Sequence, residues 1–237
     1  FPVLRLNELD NFFITTPEKY CNQISREVFD DLKLKKGDVL ICRTNGNPKF
    51  VGKSAVVLEN TEIAFASYLF RVRPKKEIIS SESLATFLNS KVGRTQIERF
   101  LMPSIQANFS PAQFRAIKIP LLPKRTQNEI DNLIKESYEL KNKSAILYSQ
   151  AENSLLEELG LQDFDEKAGL WSIVNLSEAK KAGRIDAEYF QPKYENLISR
   201  IRNKSPQTLE TFIKTHSTGF PFKSENYQET GIPLIRI

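Results

Sequence analysis

Cysteine, histidine, methionine and glycine are scarce in this chain: 2, 1, 1 and 9 residues out of 237. Cys21 and Cys42 offer neither a disulfide framework nor zinc-ligand spacing, and read as ordinary thiols of a reducing cytoplasm. A single histidine, His216, excludes a His-rich metal site, and no carboxylate is placed to orient it in a Ser-His-Asp triad. No Gly-rich phosphate loop is present, and no Gly-x-Gly cradle for a methyl donor. No apolar run approaches the ~20 residues a membrane span needs, and no signal peptide is expected. The expectation is a non-catalytic cytoplasmic chain with no metal, no cofactor of its own and no membrane. The chain begins at Phe1 and its methionine is Met102, which predicts a fragment or a processed chain.

Two near-matches to catalytic motifs fail on chemistry. Asn47-Pro48-Lys49-Phe50 approaches the loop of adenine-N6 methyltransferases, but that loop needs a second proline where Lys49 stands. Asp165-Glu166-Lys167 imitates the end of a metal-nuclease site, yet it lacks a preceding strand and a paired upstream acid, so a solvated loop is expected.

What the chain has is charge, unevenly spread. Net charge is +5, but residues 33–118 hold 15 basic and 6 acidic side chains, a local +9. Residues 124–161 hold 5 basic and 7 acidic, a local −2. A basic head beside a near-neutral rod fits a polyanion for the first and a protein for the second. The 40% apolar content is ample for a core.

The head reads as β-rich. Residues 3–6, 38–43, 54–58 and 67–73 are β-branched and aromatic runs. Arg71 and Arg73 alternate with apolar neighbours and so share a face. Residues 44–53, rich in Asn, Gly and Pro, predict an irregular loop. Ser80 or Ser81 caps one helix, and a second spans 92–101 with Ile97 inward and Arg94 and Arg99 outward. A polar turn over 103–110 leads through Ser110-Pro111 into a short helix, followed by a strand-like 117–123. From about Thr126 to Leu159 apolar residues recur every three or four positions, among them Ile130, Leu133, Tyr138, Leu147 and Leu155. That predicts one stripe on a helix of about 51 Å, packed against another helix and stopped by Gly160. Residues 162–182 read as a loop with a strand candidate at 171–176, and 183–192 lead into a helix ending near Arg202. Phe1-Pro2-Val3-Leu4-Arg5-Leu6 and Ile232-Pro233-Leu234-Ile235-Arg236-Ile237 share one pattern, which suggests an internal repeat.

The candidate site is therefore one of binding. Arg43, Thr44, Asn45, Asn47, Lys49 and Lys53 occupy or border the irregular loop, and Ser104, Gln106 and Asn108 the polar turn. Arg and Lys can read guanine O6/N7, and Asn or Gln can read adenine N6/N7. Lys75, Lys76, Lys91, Arg94 and Arg99 suit phosphates, which position a protein without specifying sequence, and Arg71 and Arg73 join the candidate DNA-binding set. The asparagines can equally be turn formers.

In order and spacing these pieces resemble the DNA specificity subunit of type I restriction–modification enzymes. The resemblance runs through Leu34-Lys35-Lys36-Gly37-Asp38-Val39-Leu40, the Gly46…Gly52 loop, Gln106-x-Asn108-x-Ser110 and Ile117-Lys118-Ile119-Pro120-Leu121-Leu122-Pro123 with Gln127-x-x-Ile130. It continues in Leu155-Leu156-Glu157-Glu158-Leu159 and Arg184-x-Asp186-Ala187-Glu188-Tyr189-Phe190, and covers nearly the whole chain. It implies an α+β architecture with a β-rich target-recognition domain over 1–123, a coiled-coil-like spacer helix over 124–161 and the beginning of a second recognition domain over 162–237. It also implies double-stranded DNA as ligand, read as a bipartite site. Methyltransferase subunits carrying S-adenosylmethionine would dock on the long helix and bring the restriction subunit, and a homodimer through that helix is compatible with it. A fragment of a DNA methyltransferase or nuclease with a fused recognition domain is the alternative. The chain departs from the family in lacking a complete pair of recognition domains.

Overall fold

In the computed structural model all residues are described except 11, 102–106, 165–170, 205, 229, 232 and 234–237, and the side chain of Ser224. The fold is mixed α+β, with short-stranded sheets and a long helix. It forms two compact units, Phe1–Tyr148 and Ser149–Ile237.

The first unit is organised by β5 (Val39–Cys42), all four of whose residues are buried. It sits between β7 (Ser54–Val56) and β9 (Leu69–Val72), antiparallel to both, with Leu40 opposite Ala55 and Ile41 opposite Phe70. Beyond β7, β3 (Phe13–Ile14) runs parallel to it and pairs with β2 (Leu9–Asp10), which completes five strands. Successive side chains of β5 enter opposite cores. Val39 and Ile41 join Val56, Leu84, Leu88 and Ile97 on one face. Leu40 and Cys42 join Leu4, Leu34, Ala55 and Leu69 on the other. A strand covered on both faces has to be apolar throughout, which accounts for the unbroken Val-Leu-Ile-Cys run. Burial pushes the Cys42 thiol up to about 11, so it behaves as a small core hydrophobe.

The second face is closed by a three-stranded sheet. Its central strand β1 (Pro2–Leu4) lies antiparallel to β4 (Lys19–Tyr20) and parallel to β8 (Ala64–Phe65). Glu8, 3% exposed, accepts from the Arg5 backbone N–H at 2.8 Å and from Arg5 Nη2 at 3.1 Å. Burial alone would raise the Glu8 carboxyl, but these Arg5 contacts outweigh it and hold it below the usual range. Helix α1 (Arg26–Leu32), capped by Ser25, seats Phe29 against Phe1 with ring centroids 4.2 Å apart.

The first face is closed by α2 (Ser81–Asn89) and α3 (Lys91–Phe100). Ser80 caps α2, and Ser90 ends α2 while capping α3 through Gly93 N–H. One residue thus serves both helices, and the corner between them is tight. A Cβ at Gly93 would stand 2.1 Å from the Phe87 carbonyl oxygen. Gly52, at φ +82°, has Ile97 Cδ1 2.6 Å from where its Cβ would be. Helix α4 (Pro111–Arg115) begins with a capping box between Ser110 and Gln113.

Residues 117–123 form no strand, contrary to the pattern of alternating apolar residues. Pro120 and Pro123 cannot donate to a ladder, and the segment instead leads irregularly into α5 (Lys124–Leu159). The start of α5 is anchored by buried polar groups. Gln127, 2% exposed, donates to the Ile78 and Leu122 carbonyls and accepts from Ser80 N–H. Asp131 accepts from Ser80 Oγ at 2.6 Å. One helical face follows: Tyr138 tilts against Phe13 at 5.2 Å, and Lys141 pairs with Asp10 at 2.7 Å. The expected single stripe is therefore two rows. Ile130, Ile134 and Tyr138 are half-buried, while Leu133, Leu140 and Leu147 are 64%, 59% and 54% exposed.

In the second unit Gly160, at φ +66°, ends α5, and Leu161 is its one buried residue among those described. Residues 171–175 are irregular where a strand was expected. Leu176 opens α6 (Leu176–Ala182), capped by Asn175 and closed by left-handed Gly183. Arg184 grips Asp186 through two hydrogen bonds of 2.8 and 3.0 Å. Then come α7 (Pro192–Arg202) and the single turn α8 (Leu209–Phe212). Trp171, Ile173, Ile185 and Leu209 are exposed. Asp165-Glu166-Lys167 and five residues of the second hexapeptide repeat lie outside the described residues.

Candidate nucleic-acid interface

The loop after β5 is less irregular than its composition suggests. Thr44–Asn45 form β6, which pairs antiparallel with β10 (Ala107–Asn108), placing Asn108 opposite Thr44. Thr44 Oγ1 donates to Asn108 Oδ1 at 2.9 Å. The two candidate segments are thus joined into one ribbon. Beyond it, Asn45 Oδ1 accepts from Asn47 N–H and Asn47 Oδ1 from Lys49 N–H, at 2.7 and 3.0 Å, leading into a 3-10 turn at Pro48–Phe50. Both asparagines spend a side-chain oxygen on the turn, the chemistry by which Asn initiates turns. Ser104 and Gln106 lie outside the described residues.

The cations sort into free and committed. Lys49 and Lys53 line an open cleft of about 330 Å³ with Phe12, Phe50, Asn89 and Arg94. Lys53 Nζ stands 5.8 Å from the Phe50 ring centroid. Arg94 was expected to point outward. Instead its guanidinium turns in and donates to the Val51 carbonyl and, at 3.1 Å, to the Lys49 carbonyl, tying down the loop. Burial pulls its pKa below the ordinary value. Arg71 and Arg73 both serve the fold. Arg71 donates to the Lys33 carbonyl at 3.2 Å and lies over Phe65. Arg73 grips Asp38, 1% exposed, at 2.7 and 3.3 Å, and this hydrogen bond raises its pKa. Lys75 and Lys91 are exposed, Lys91 at the first position of α3.

A second basic cleft, of about 320 Å³, gathers Lys36, Lys76 and Lys135 beside the capped start of α2. Of these, the sequence nominates Lys76 for a phosphate, counts Lys36 in the basic segment without a role, and places Lys135 on the near-neutral long helix. Sequence reasoning missed Phe12 and Phe50. Phe50 adjoined a nominated lysine, whereas Phe12 falls in a stretch with no periodic pattern.

Among the described residues no group of three or more His, Cys, Asp or Glu is placed to hold a metal ion. No described helix is long and apolar enough to cross a membrane. No family profile and no curated protein matches the chain.

Proposed function

We propose that this chain is a non-catalytic, sequence-specific DNA-binding specificity subunit of the type I restriction–modification kind, directing modifying and cutting subunits to a bipartite site. The observation that carries this reading is the ribbon that brings Arg43, Thr44 and Asn108 together, beside a cleft holding Lys49 and Lys53. Neutral amides and hydroxyls next to unpaired cations are the mixture a duplex calls for, base edges for the first and phosphates for the second.

A shift assay with a random duplex library at low salt, followed by a salt titration, tests it. Four lysines without an ion pair among the described residues (Lys49, Lys53, Lys75, Lys91), placed on phosphates, give a log–log slope of about −3.6, or a loss of about 150-fold between roughly 50 and 200 mM salt. Affinity that does not move with salt, or no retained duplex, overturns the reading.

The 36 residues of α5 span about 54 Å, a spacer of roughly sixteen base pairs. Leu133, Leu140 and Leu147 recur every seven residues on it, alternating with Ser137, Ser144 and Ala151. Glu136 and Lys143 flank this row on one side. In an antiparallel pair centred between them, Glu136 of each copy meets Lys143 of the other. The row is thus self-complementary and accepts a second copy. Sedimentation will show a dimer that Leu140→Lys returns to monomer with unchanged far-UV dichroism. A wild-type monomer at high micromolar concentration assigns the row to another subunit instead.

A further inference from the structure

We infer that Arg43 is a guanine-reading residue, presenting its two terminal amino groups end-on to O6 and N7 of one base; the inference rests on the DNA-binding reading above. The backbone of Arg43 is fixed on both sides. Its N–H donates to the Tyr68 carbonyl at 2.8 Å, and its carbonyl accepts from Phe109 N–H at 2.8 Å. Strand alternation puts its side chain on the Ile41 face, where the guanidinium carbon lies 5.8 Å from the Phe70 ring centroid. Phe70 is braced in turn by Phe114 at 6.2 Å, and Phe114 by Phe109 at 6.1 Å.

The guanidinium therefore lies over a supported aromatic cluster. Nε is buried and has no hydrogen-bond partner. No carboxylate or carbonyl among the described residues accepts from the side chain. What remains outward is the Nη1/Nη2 pair. A fork with one edge sealed suits two acceptors lying side by side, as O6 and N7 of guanine do in the major groove and as two oxygens of a phosphate do.

The neighbours favour a base over a phosphate. Beside Arg43 stand Thr44 and Asn108, neutral and mutually hydrogen-bonded, whereas Lys49 and Lys53 line a cleft that does not include Arg43. Arg71, Arg73 and Arg94 have given donors to the fold. Arg43 is the one whose fork is both oriented and unspent. Fixing it beforehand also reduces the rotamer entropy lost on binding.

The experiment selects duplexes from a random library with the full chain and with Arg43→Ala and Arg43→Met, and checks folding of each variant by thermal melting. Wild type is expected to require at least one G·C pair. Both variants are expected to lose that preference at one position while keeping the rest of the site. Arg43→Met keeps the packed stem and carries no donor, so it serves even where Arg43→Ala fails to fold. In the selected site, 7-deazaguanine at that position should weaken wild type about tenfold and leave Arg43→Met unchanged. Uniform weakening of all sequences with a salt slope reduced by about 1 would make Arg43 a phosphate contact and overturn the inference. Retention by wild type with a site unaltered in Arg43→Met would overturn it while leaving DNA binding intact. If wild type retains no duplex at all, the DNA-binding reading itself fails.

Discussion

Gly93→Ala is expected to lower the melting temperature by about 6 °C or more. Two effects oppose each other at this position. Gly93 lies within the first turn of α3 and its φ is not positive, so alanine should gain up to about 1 kcal/mol of helix propensity. Against that, its Cβ would fall 2.1 Å from the Phe87 carbonyl oxygen and 2.9 Å from Leu88 Cα. These are backbone atoms at the end of α2, and no rotamer change relieves them. The corner must open, which unseats Leu88 and Ile97, both fully buried, from the core over β5. Disruptions of this kind cost about 3 kcal/mol or more, and at roughly 3 °C per kcal/mol the steric effect outweighs the propensity gain. Gly46→Ala, with nothing within 4 Å of its Cβ, is the control and should melt close to wild type. A Gly93→Ala protein as stable as Gly46→Ala would mean that α2 and α3 do not meet as described.

The parts legible in the sequence were those with a local physical cause. Ser80 and Ser110 are caps because a serine preceding a helical pattern has one use there. Val39–Cys42 reads as a strand because four consecutive apolar β-formers bounded by a glycine turn have few other conformations. Gly160 stops α5 as a left-handed glycine does. What was hidden depends on partners distant in sequence. The two-residue strands Leu9–Asp10 and Phe13–Ile14 are too short to carry a period, and they exist because β7 offers an edge. The ribbon of β6 and β10 joins residues more than sixty positions apart. Arg94 looks like a surface cation on a helical wheel, and only the loop folded over it reveals its carbonyl partners. The long helix was visible as a helix, but the division of its apolar positions into a row against the first unit and a row left open was not. That division is set by Phe13, Ser80 and Asp10, which no periodicity of α5 encodes.

The same division between free and spent side chains sets the largest expected effect on binding. Lys49→Ala/Lys53→Ala/Lys91→Ala is expected to flatten the salt dependence by about 3 in log–log slope. Between roughly 50 and 200 mM salt, wild type should therefore lose about 40-fold more affinity than the triple variant. All three lysines lie on turns or at a helix start, so the melting temperature should barely move. Arg73→Ala is expected to do the reverse. It leaves Asp38 buried without its guanidinium, with only the Lys35 N–H at 3.0 Å still donating to the carboxylate. Stripping one partner from a buried pair costs about 3–5 kcal/mol, and the half-exposed position of Arg73 reduces that to about 1–3. The variant should melt several degrees lower while its salt slope at a temperature where it is folded stays that of wild type. Composition treats these residues alike, as members of one basic segment. The structure distinguishes a cation hydrogen-bonded to a buried carboxylate from cations that make no ion pair among the described residues. If Arg73→Ala flattened the salt slope as much as loss of a free lysine does, that distinction would fail, and with it the choice of Lys49, Lys53 and Lys91 as the phosphate-binding set.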